Sequence, residues 1–207
     1  MLHISKPEEK HPTHRFLASR PTLVLAEPEE FDPASDSVSG WIASVRYRGV
    51  PAFWKGKRLW TRDRLPIAAP AWLTAPLESE EDEALEGLLC LDYKDPSKLE
   101  ELLPHPPGHP SRTPNPLSRS DNPLWARVSF VIYDAPDRPG PFSARLAYVQ
   151  TAVPSKGAVF RRAPFFLLKN AGDVATSRAA ATAAGGVGLF LRDPSARYAA
   201  PRALLEY

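Results

Sequence analysis

Short apolar runs separated by turn residues constrain the fold of this chain more than any other feature. The segments Trp41–Tyr47, Pro51–Trp54 and Arg58–Thr61 are rich in residues that favour strands. Lys55-Gly56-Lys57 separates the last two segments, and its central glycine is typical of a tight hairpin. The pattern predicts an antiparallel sheet that begins near residue 40.

Further strands and two helices are predicted downstream. The predicted strands are the Leu-rich run from Leu85 to Leu91, Val128–Tyr133, Phe165–Leu168 and Gly188–Arg192. The spacing of Phe142, Leu146 and Val149 predicts a helix over Phe142–Gln150, and an alanine-rich helix over Ala175–Ala184 ends at Gly185-Gly186. Many strands with few helices between them predict an α+β domain, with antiparallel sheets and packed helices.

The length of 207 residues allows one sizeable core, which we assign to residues 40–207. Residues 1–39 are rich in Pro, Glu and His, and we expect an N-terminal extension that lies on its own domain or on a partner. Seven prolines within residues 104–123 exclude a helix there and predict an extended or disordered loop.

Charge and cysteine content limit the classes of function. The net charge of +2 is too small to indicate a nucleic-acid partner, although residues 78–101 carry −8 and the remainder therefore about +10. The single Cys90 excludes an internal disulfide and suits a reducing compartment. No apolar run approaches the roughly 20 residues that span a bilayer. We expect an intracellular protein without a membrane span, with the mitochondrion as one candidate location.

One segment resembles the start of a known enzyme domain. Residues 40–73 are similar to the opening of the adenylation domain of ATP-dependent DNA and RNA ligases, which are covalent nucleotidyltransferases. The nucleophile motif of that family is Lys-x-Asp-Gly, and this chain has Arg46-Tyr47-Arg48-Gly49. Arginine stays protonated, with a pKa above about 12, whereas attack on ATP needs a neutral amine. The resemblance therefore implies that Arg46 is not a nucleophile.

The later motifs of the family are similar in their packing residues and different in their charged ones. Glu86-Gly87-Leu88 matches Asp-Gly-Glu, with Leu88 in place of the glutamate. Residues 185–198 match Gly-Gly-Glu-Gly-x-x-x-Arg-x-Pro-x-x-x-Tyr, with Val187 in place of a metal-binding glutamate. Glu206 stands where the family has a lysine that neutralises phosphates. The family continues after this point into an OB-fold domain, and we expect an adenylation-like domain that lacks the OB-fold domain. These departures imply a lost active site.

Some polar positions of the family are kept. Arg62 matches an arginine that contacts nucleotide or nucleic acid in the family, and Tyr133 matches the aromatic residue that supports the purine. If the fold is that of the family, four arginines would converge on the former nucleotide cleft: Arg46, Arg48, Arg62 and Arg192. Such a cleft could hold RNA or DNA phosphates, or an acidic tail of a partner protein.

Three interpretations follow. The first is a catalytically inactive, ligase-like pseudoenzyme that needs no cofactor or metal and acts as a scaffolding subunit among other protein subunits, for example in a mitochondrial ribonucleoprotein. The second is a nucleic-acid-binding module that uses the basic cleft. The third is a divergent polynucleotide ligase whose nucleophile has moved to Lys55 or Lys57, which otherwise are solvated turn lysines. All five histidines lie in the extension or in the proline-rich loop, which argues against a metal site.

Overall fold

The computed structural model describes residues 21–80, 83–91, 97–105, 108, 115–157, 159–200 and 203–207. The strands within these ranges are β1 (Glu29–Glu30), β2 (Ile42–Arg46), β3 (Val50–Lys55), β4 (Arg58–Thr61), β5 (Pro66–Ile67), β6 (Leu85–Leu91), β7 (Val128–Asp134), β8 (Phe160–Arg162), β9 (Phe165–Leu167), β10 (Gly188–Arg192) and β11 (Leu204–Glu206). The α-helices are α1 (Ala71–Thr74), α2 (Ser97–Glu100), α3 (Phe142–Ala152) and α4 (Gly172–Ala183). Short 3-10 turns cover Ala75–Glu80 and Pro123–Arg127.

The strands form two sheets. The first has the order β1-β11-β10-β2-β9, and the second has the order β5-β4-β3-β6-β7-β8. Pairing is antiparallel apart from the β1–β11 and β7–β8 pairs, which are parallel. The predicted α+β class is confirmed.

The hairpin between β3 and β4 forms as the sequence predicts. Lys55 pairs with Arg58, and the two residues between them, Gly56 and Lys57, have φ angles of 57° and 62°. Two successive residues with positive φ define the type of two-residue turn whose twist matches that of the flanking strands.

The two central strands of the second sheet explain how the core is arranged. β6 (LEGLLCL) is buried along its whole length, and β7 (VSFVIYD) is buried at every position except Ser129. Near-continuous apolar sequence of this kind is typical of strands covered on both faces. One face of these two strands packs in a core cluster with Trp54, Trp125 and Phe130. The other face packs in a second cluster, which also includes residues of β2 and β10 of the first sheet. The second cluster therefore joins the two sheets.

The elements predicted from sequence are present, with shifted ends. The helix expected to start at Ala175 starts at Gly172, and the Asp173 carboxylate in its first turn accepts a hydrogen bond from the Lys169 amide at 2.7 Å, which holds the preceding loop against the helix. The shortest elements, such as the two-residue β1 and β5, carry too little periodicity to be predicted.

Residues 21–39 lie against their own domain. Leu25, Phe31 and Val38 in this segment are buried, and β1 adds to the edge of the first sheet. The earlier part of the expected extension, residues 1–20, lies outside the described residues, as do most residues between 106 and 114 of the proline-rich loop. Across the part of the chain that is described, no helix is long and apolar enough to cross a membrane.

Candidate functional site

A pocket of about 140 Å³ opens where the two sheets face each other. Its walls come from the end of β2, from β6, β7, β10 and β11, and from the segment before β1. The side chains that decide its chemistry are Arg46, Arg62, Leu88, Tyr133, Phe190 and Glu206. Five of these were singled out from the sequence, so the fold brings together residues that are up to 160 positions apart in the chain.

Arg46, the last residue of β2, is paired within the chain. Its Nη1 lies 3.7 Å from Oε2 of Glu206 on β11, and the two side chains are 32% and 40% exposed. Its Nε is buried and has no hydrogen-bond partner among the described residues. The backbone carbonyl of Arg46 accepts a hydrogen bond from the Val187 amide at 2.8 Å, which fixes the loop before β10 against β2. Two departures from the family, at positions 46 and 206, therefore contact each other.

Two apolar residues stand where the resemblance to the ligase family implies carboxylates. Leu88 on β6 is 4% exposed and lines the pocket, and Val187 is half-buried just before β10. Magnesium prefers oxygen ligands, and neither side chain can supply one. Within the described ranges, no group of three His, Cys, Asp or Glu side chains could hold a metal ion.

A buried carboxylate lies beneath the pocket. Glu86 is 1% exposed, and its two oxygens accept hydrogen bonds from the hydroxyls of Tyr133, at 3.2 Å, and Tyr198, at 2.9 Å. Burial raises the pKa of Glu86 to about 7, against the smaller lowering effect of Arg192. Burial likewise raises the pKa of both tyrosines, so they act as hydrogen-bond donors to Glu86.

A buried ion-pair network continues from Glu86 into the domain. A register shift next to Glu86 sets this residue opposite Asp134 on β7. Asp134 accepts two hydrogen bonds from Arg145 of α3, from Nε at 2.8 Å and from Nη2 at 3.2 Å. Arg192 Nε lies 3.8 Å from Oδ2 of Asp134, the oxygen that also accepts from Arg145 Nη2, and its guanidinium stacks 4.6 Å from the centre of the Tyr133 ring. The network ties β7, α3 and β10 together.

The four arginines expected to converge are separated by the fold. Arg192 is 3% exposed, lies against Asp134 and does not line this pocket. Arg48 is exposed in the connection between β2 and β3. Only Arg46 and Arg62 line the pocket among the four, and Arg62 forms an ion pair with Glu27.

Glu27 and Glu86 are among the site residues that were not singled out from the sequence. Glu27 lies in a segment without periodicity, so no local signal indicates its contact with Arg62. Glu86 carried a signal, because a single acid inside the apolar run LEGLLCL is expected to be buried and hydrogen-bonded.

Comparison with known proteins identifies the fold. No family model matches the sequence, and no curated protein matches it in sequence. Among solved structures, a Lig E DNA ligase, studied for DNA binding with a minimal scaffold, superposes with a TM-score of 0.70 at 22% identity, over 90% of this chain and 68% of that one. The adenylated Chlorella virus DNA ligase gives 0.65 at 12% identity, over 89% and 66%. The bacteriophage T7 DNA ligase with ATP gives 0.59 at 13% identity, over 88% and 67%.

The chain covers only part of the length of the ligases that it matches. The chain spans about two thirds of those three ligases, and less than half, 46%, of another matched ligase structure. Identities below 25% identify the fold and no more. The chain has the fold of the adenylation domain of ATP-dependent DNA ligases.

Proposed function

We propose that this chain, with its ligase adenylation-domain fold, is a catalytically inactive pseudoenzyme that serves as a structural subunit of a larger protein assembly. The observation that carries the proposal is the pairing of Arg46 with Glu206 at the place expected for the nucleophile. A guanidinium is a poor nucleophile because it stays protonated and its lone pairs are delocalised.

The pocket does not fit the nucleotide and metal that the ligase fold implies. Its volume of about 140 Å³ is below the roughly 300 Å³ at which small-molecule sites usually begin. Leu88 and Val187 offer no oxygen to a magnesium ion, and Arg62 is already paired with Glu27. These features support loss of nucleotidyl transfer and retention of the fold.

Transfer of AMP is tested directly with α-labelled ATP and magnesium, with an active ATP-dependent ligase assayed in parallel. We expect no label on this chain. Covalent label that disappears in Lys55→Ala or Lys57→Ala would overturn the proposal, because it would mean that a lysine of the β3–β4 hairpin has become the nucleophile. Lys55 is ion-paired with Asp137, which makes that role unfavourable.

A groove beside β3 and β4 supports contact with a protein partner. It has a volume of about 650 Å³, and its apolar floor includes Val50, Leu103 and Leu117. Leu117 is 45% exposed and presents apolar surface to this groove. Acidic side chains line the same groove, namely Asp63, Glu100 and Glu101. Its chemistry suits a partner segment that carries both apolar and basic residues.

The structural role is tested by purification of the tagged chain from its own cells under gentle salt. We expect a stoichiometric complex with other proteins that resists nuclease, and mitochondrial ribonucleoproteins are the first assemblies to examine. Leu117→Ser should weaken the complex, whereas Leu167→Ser, at another exposed leucine, should leave it intact. A chain that purifies alone, or a complex equally affected by both variants, would contradict the proposed groove contact.

Nucleic-acid binding is the second candidate function. It is supported by the exposed Arg48 and by the likeness to a Lig E ligase studied for DNA binding. If it is correct, affinity for an oligonucleotide should fall as the salt concentration rises. Arg48→Ala should then reduce, by about one, the slope of the logarithm of affinity against the logarithm of salt concentration. Arg58→Ala, at the exposed hairpin, is the matched control. Binding that is unaffected by salt would remove this candidate.

A further inference from the structure

The groove beside β3 and β4 carries an excess of negative charge. Asp63, Glu100 and Glu101 are exposed on its walls, and none of these carboxylates pairs with a basic side chain in the described part of the chain. Arg62 lines the same groove, but its charge is balanced by the ion pair with Glu27. A ligand of this groove should therefore be basic.

The walls of the groove are held in place by hydrogen bonds within the chain. The side-chain amide of Asn115 donates to the backbone carbonyls of Glu101, at 3.0 Å, and Leu103, at 2.8 Å. These bonds fix the segment that carries Leu117 against the segment that follows α2. The apolar surface that Leu117 presents is thus part of a preformed groove, and its burial by an apolar side chain would be favourable.

The first described segment of the chain lies next to this groove. Leu25 packs against Phe53 of β3 and Trp60 of β4. Thr61, the residue that follows Trp60, already lines the groove. An extended chain spans about 3.3 Å per residue, so the nine residues from Leu25 back to Phe16 reach up to about 30 Å. Residues 10–20 are therefore within reach of the groove.

The composition of residues 10–20, KHPTHRFLASR, matches the groove. The segment has three basic residues and no acidic one, and it also has two large apolar side chains, Phe16 and Leu17. By comparison, residues 106–114, which connect His105 to Asn115 at the groove, contain no leucine, phenylalanine, tyrosine or tryptophan. Both the charge and the apolar side chains therefore favour residues 10–20 as the occupant.

We propose that residues 10–20 bind in this groove of the same chain, with Phe16 and Leu17 on its apolar floor, and so compete there with the protein partner. The binding within the chain does not depend on the proposed function, whereas the competition rests on it. A tethered segment has an effective concentration on the order of 1 mM, so a weak contact is enough to fill the groove. A partner segment of the same chemistry binds only in the fraction of molecules whose groove is open.

The binding is tested in the full chain, with the photo-cross-linking residue p-benzoylphenylalanine in place of Phe16. After illumination, we expect a cross-link within one chain to a peptide that contains Leu103 or Leu117. Glu100→Gln should lower its yield by about two- to fivefold, the value of an exposed ion pair. Glu30→Gln, at an exposed acid that does not line the groove, is the matched control and should leave the yield unchanged.

The same probe at Leu17 keeps the test valid if the probe at Phe16 disturbs folding. A cross-link between two chains would overturn the proposal, because the occupant would then be a second copy. A cross-link to a peptide outside the groove would overturn it too, as would the absence of any cross-link from both positions in folded protein.

The competition is tested by purification of the tagged full chain from its own cells. Phe16→Ser should raise the fraction recovered in the complex by at least about twofold, because more molecules have an open groove. Ile4→Ser, an apolar residue outside residues 10–20, is the matched control. Equal recovery of the wild type and Phe16→Ser would overturn the competition.

The two proposals fail in different ways. A complex that Leu117→Ser weakens, without a cross-link from position 16 or 17, would overturn binding within the chain and support the structural role. A cross-link to the groove in a chain that purifies alone would support binding within the chain and contradict the structural role.

Discussion

The Tyr198 hydroxyl donates a 2.9 Å hydrogen bond to Glu86, a carboxylate that is 1% exposed. Tyr198 comes from the loop after β10, whereas Glu86 lies on β6 of the other sheet. Its partner Tyr133 donates a second bond from β7, at 3.2 Å. Glu86 is thus a polar junction between the two sheets, and its protonation affects the stability of the whole domain.

The free energy of unfolding should fall as pH rises, because Glu86 is stable in the folded domain mainly in its protonated form. Burial raises its pKa in the folded state from 4.5 to about 7, so the folded state binds more protons than the unfolded state between these values. The contribution is most favourable below pH 4.5 and is lost as pH rises through 7. Relative to Glu86→Gln, the wild type should lose about 3 kcal/mol of unfolding free energy over this window.

Urea unfolding of both proteins between pH 4.5 and pH 8 measures this difference. Glu101→Gln, at an exposed position, should follow the wild type at every pH. If the unfolding free energies of the wild type and Glu86→Gln changed with pH in parallel, the raised pKa of Glu86 would be contradicted. The difference between the two free energies at each pH reports the titration of Glu86 alone.

Asp134→Asn should be severely destabilising. The change leaves Arg145 and Arg192, both 3% exposed, without their counter-charge. Breaking a buried pair on one side costs about 3–5 kcal/mol. Asp137→Asn, which breaks the part-exposed pair with Lys55, should cost less than about 1 kcal/mol. Denaturant midpoints compare the two variants, and similar losses in both would contradict a special role for the buried network.

The sequence predicted the strands well where they are long or covered on both faces. β6 and β7 could be recognised because their apolar runs have no alternation, and the β3–β4 hairpin because Gly56 marks its turn. β1 and β11 could not, because strands of two and three residues depend on pairing between distant parts of the chain. Local propensity contains no information about such pairing.

The candidate site was predictable only as far as the ligase resemblance extends. That resemblance indicated Arg46, Arg62, Leu88, Tyr133 and Glu206, and all five line one pocket. It could not indicate that Arg192 turns inward to Asp134, because the direction of a strand residue depends on register. Nor could it indicate Glu27, since the segment before β1 has no counterpart among the motifs that carried the resemblance.

Gly87→Ala should destabilise the domain although it adds only a methyl group. A Cβ at Gly87 would lie too close to the Val131 carbonyl and to the Phe130 ring, and backbone atoms cannot move aside. Overpacking of this kind costs about 1–3 kcal/mol. Gly56→Asn is the control, because its turn is open and asparagine tolerates positive φ. Thermal unfolding should separate the two variants, and equal melting temperatures would mean that the sheet relaxes around the methyl.

Packing alone accounts for two of the glycines that carry the family resemblance. Gly49 and Gly87 both sit where the backbone of a neighbouring strand approaches, at Leu89 and at Val131. Packing therefore requires glycine at these positions whether or not a nucleotide is bound. Leu88, the residue after Gly87, belongs to the apolar cluster between the sheets, so packing constrains that position as well.

Arg46→Lys should fail to restore transfer of AMP. A lysine at this position would face Glu206, and a nearby carboxylate favours the protonated amine, which is not a nucleophile. Arg46→Lys/Glu206→Gln removes that carboxylate and serves as the matched variant. It should fail as well, because Leu88 and Val187 still supply no oxygen for magnesium and Glu27 still holds Arg62. Intact-mass measurement after incubation with ATP and magnesium detects one added adenylyl group. Its appearance on Arg46→Lys would mean that position 46 alone limits the chemistry, and its appearance on the double variant only would mean that positions 46 and 206 together do. Its absence from both is expected if the pocket as a whole does not accept the nucleotide.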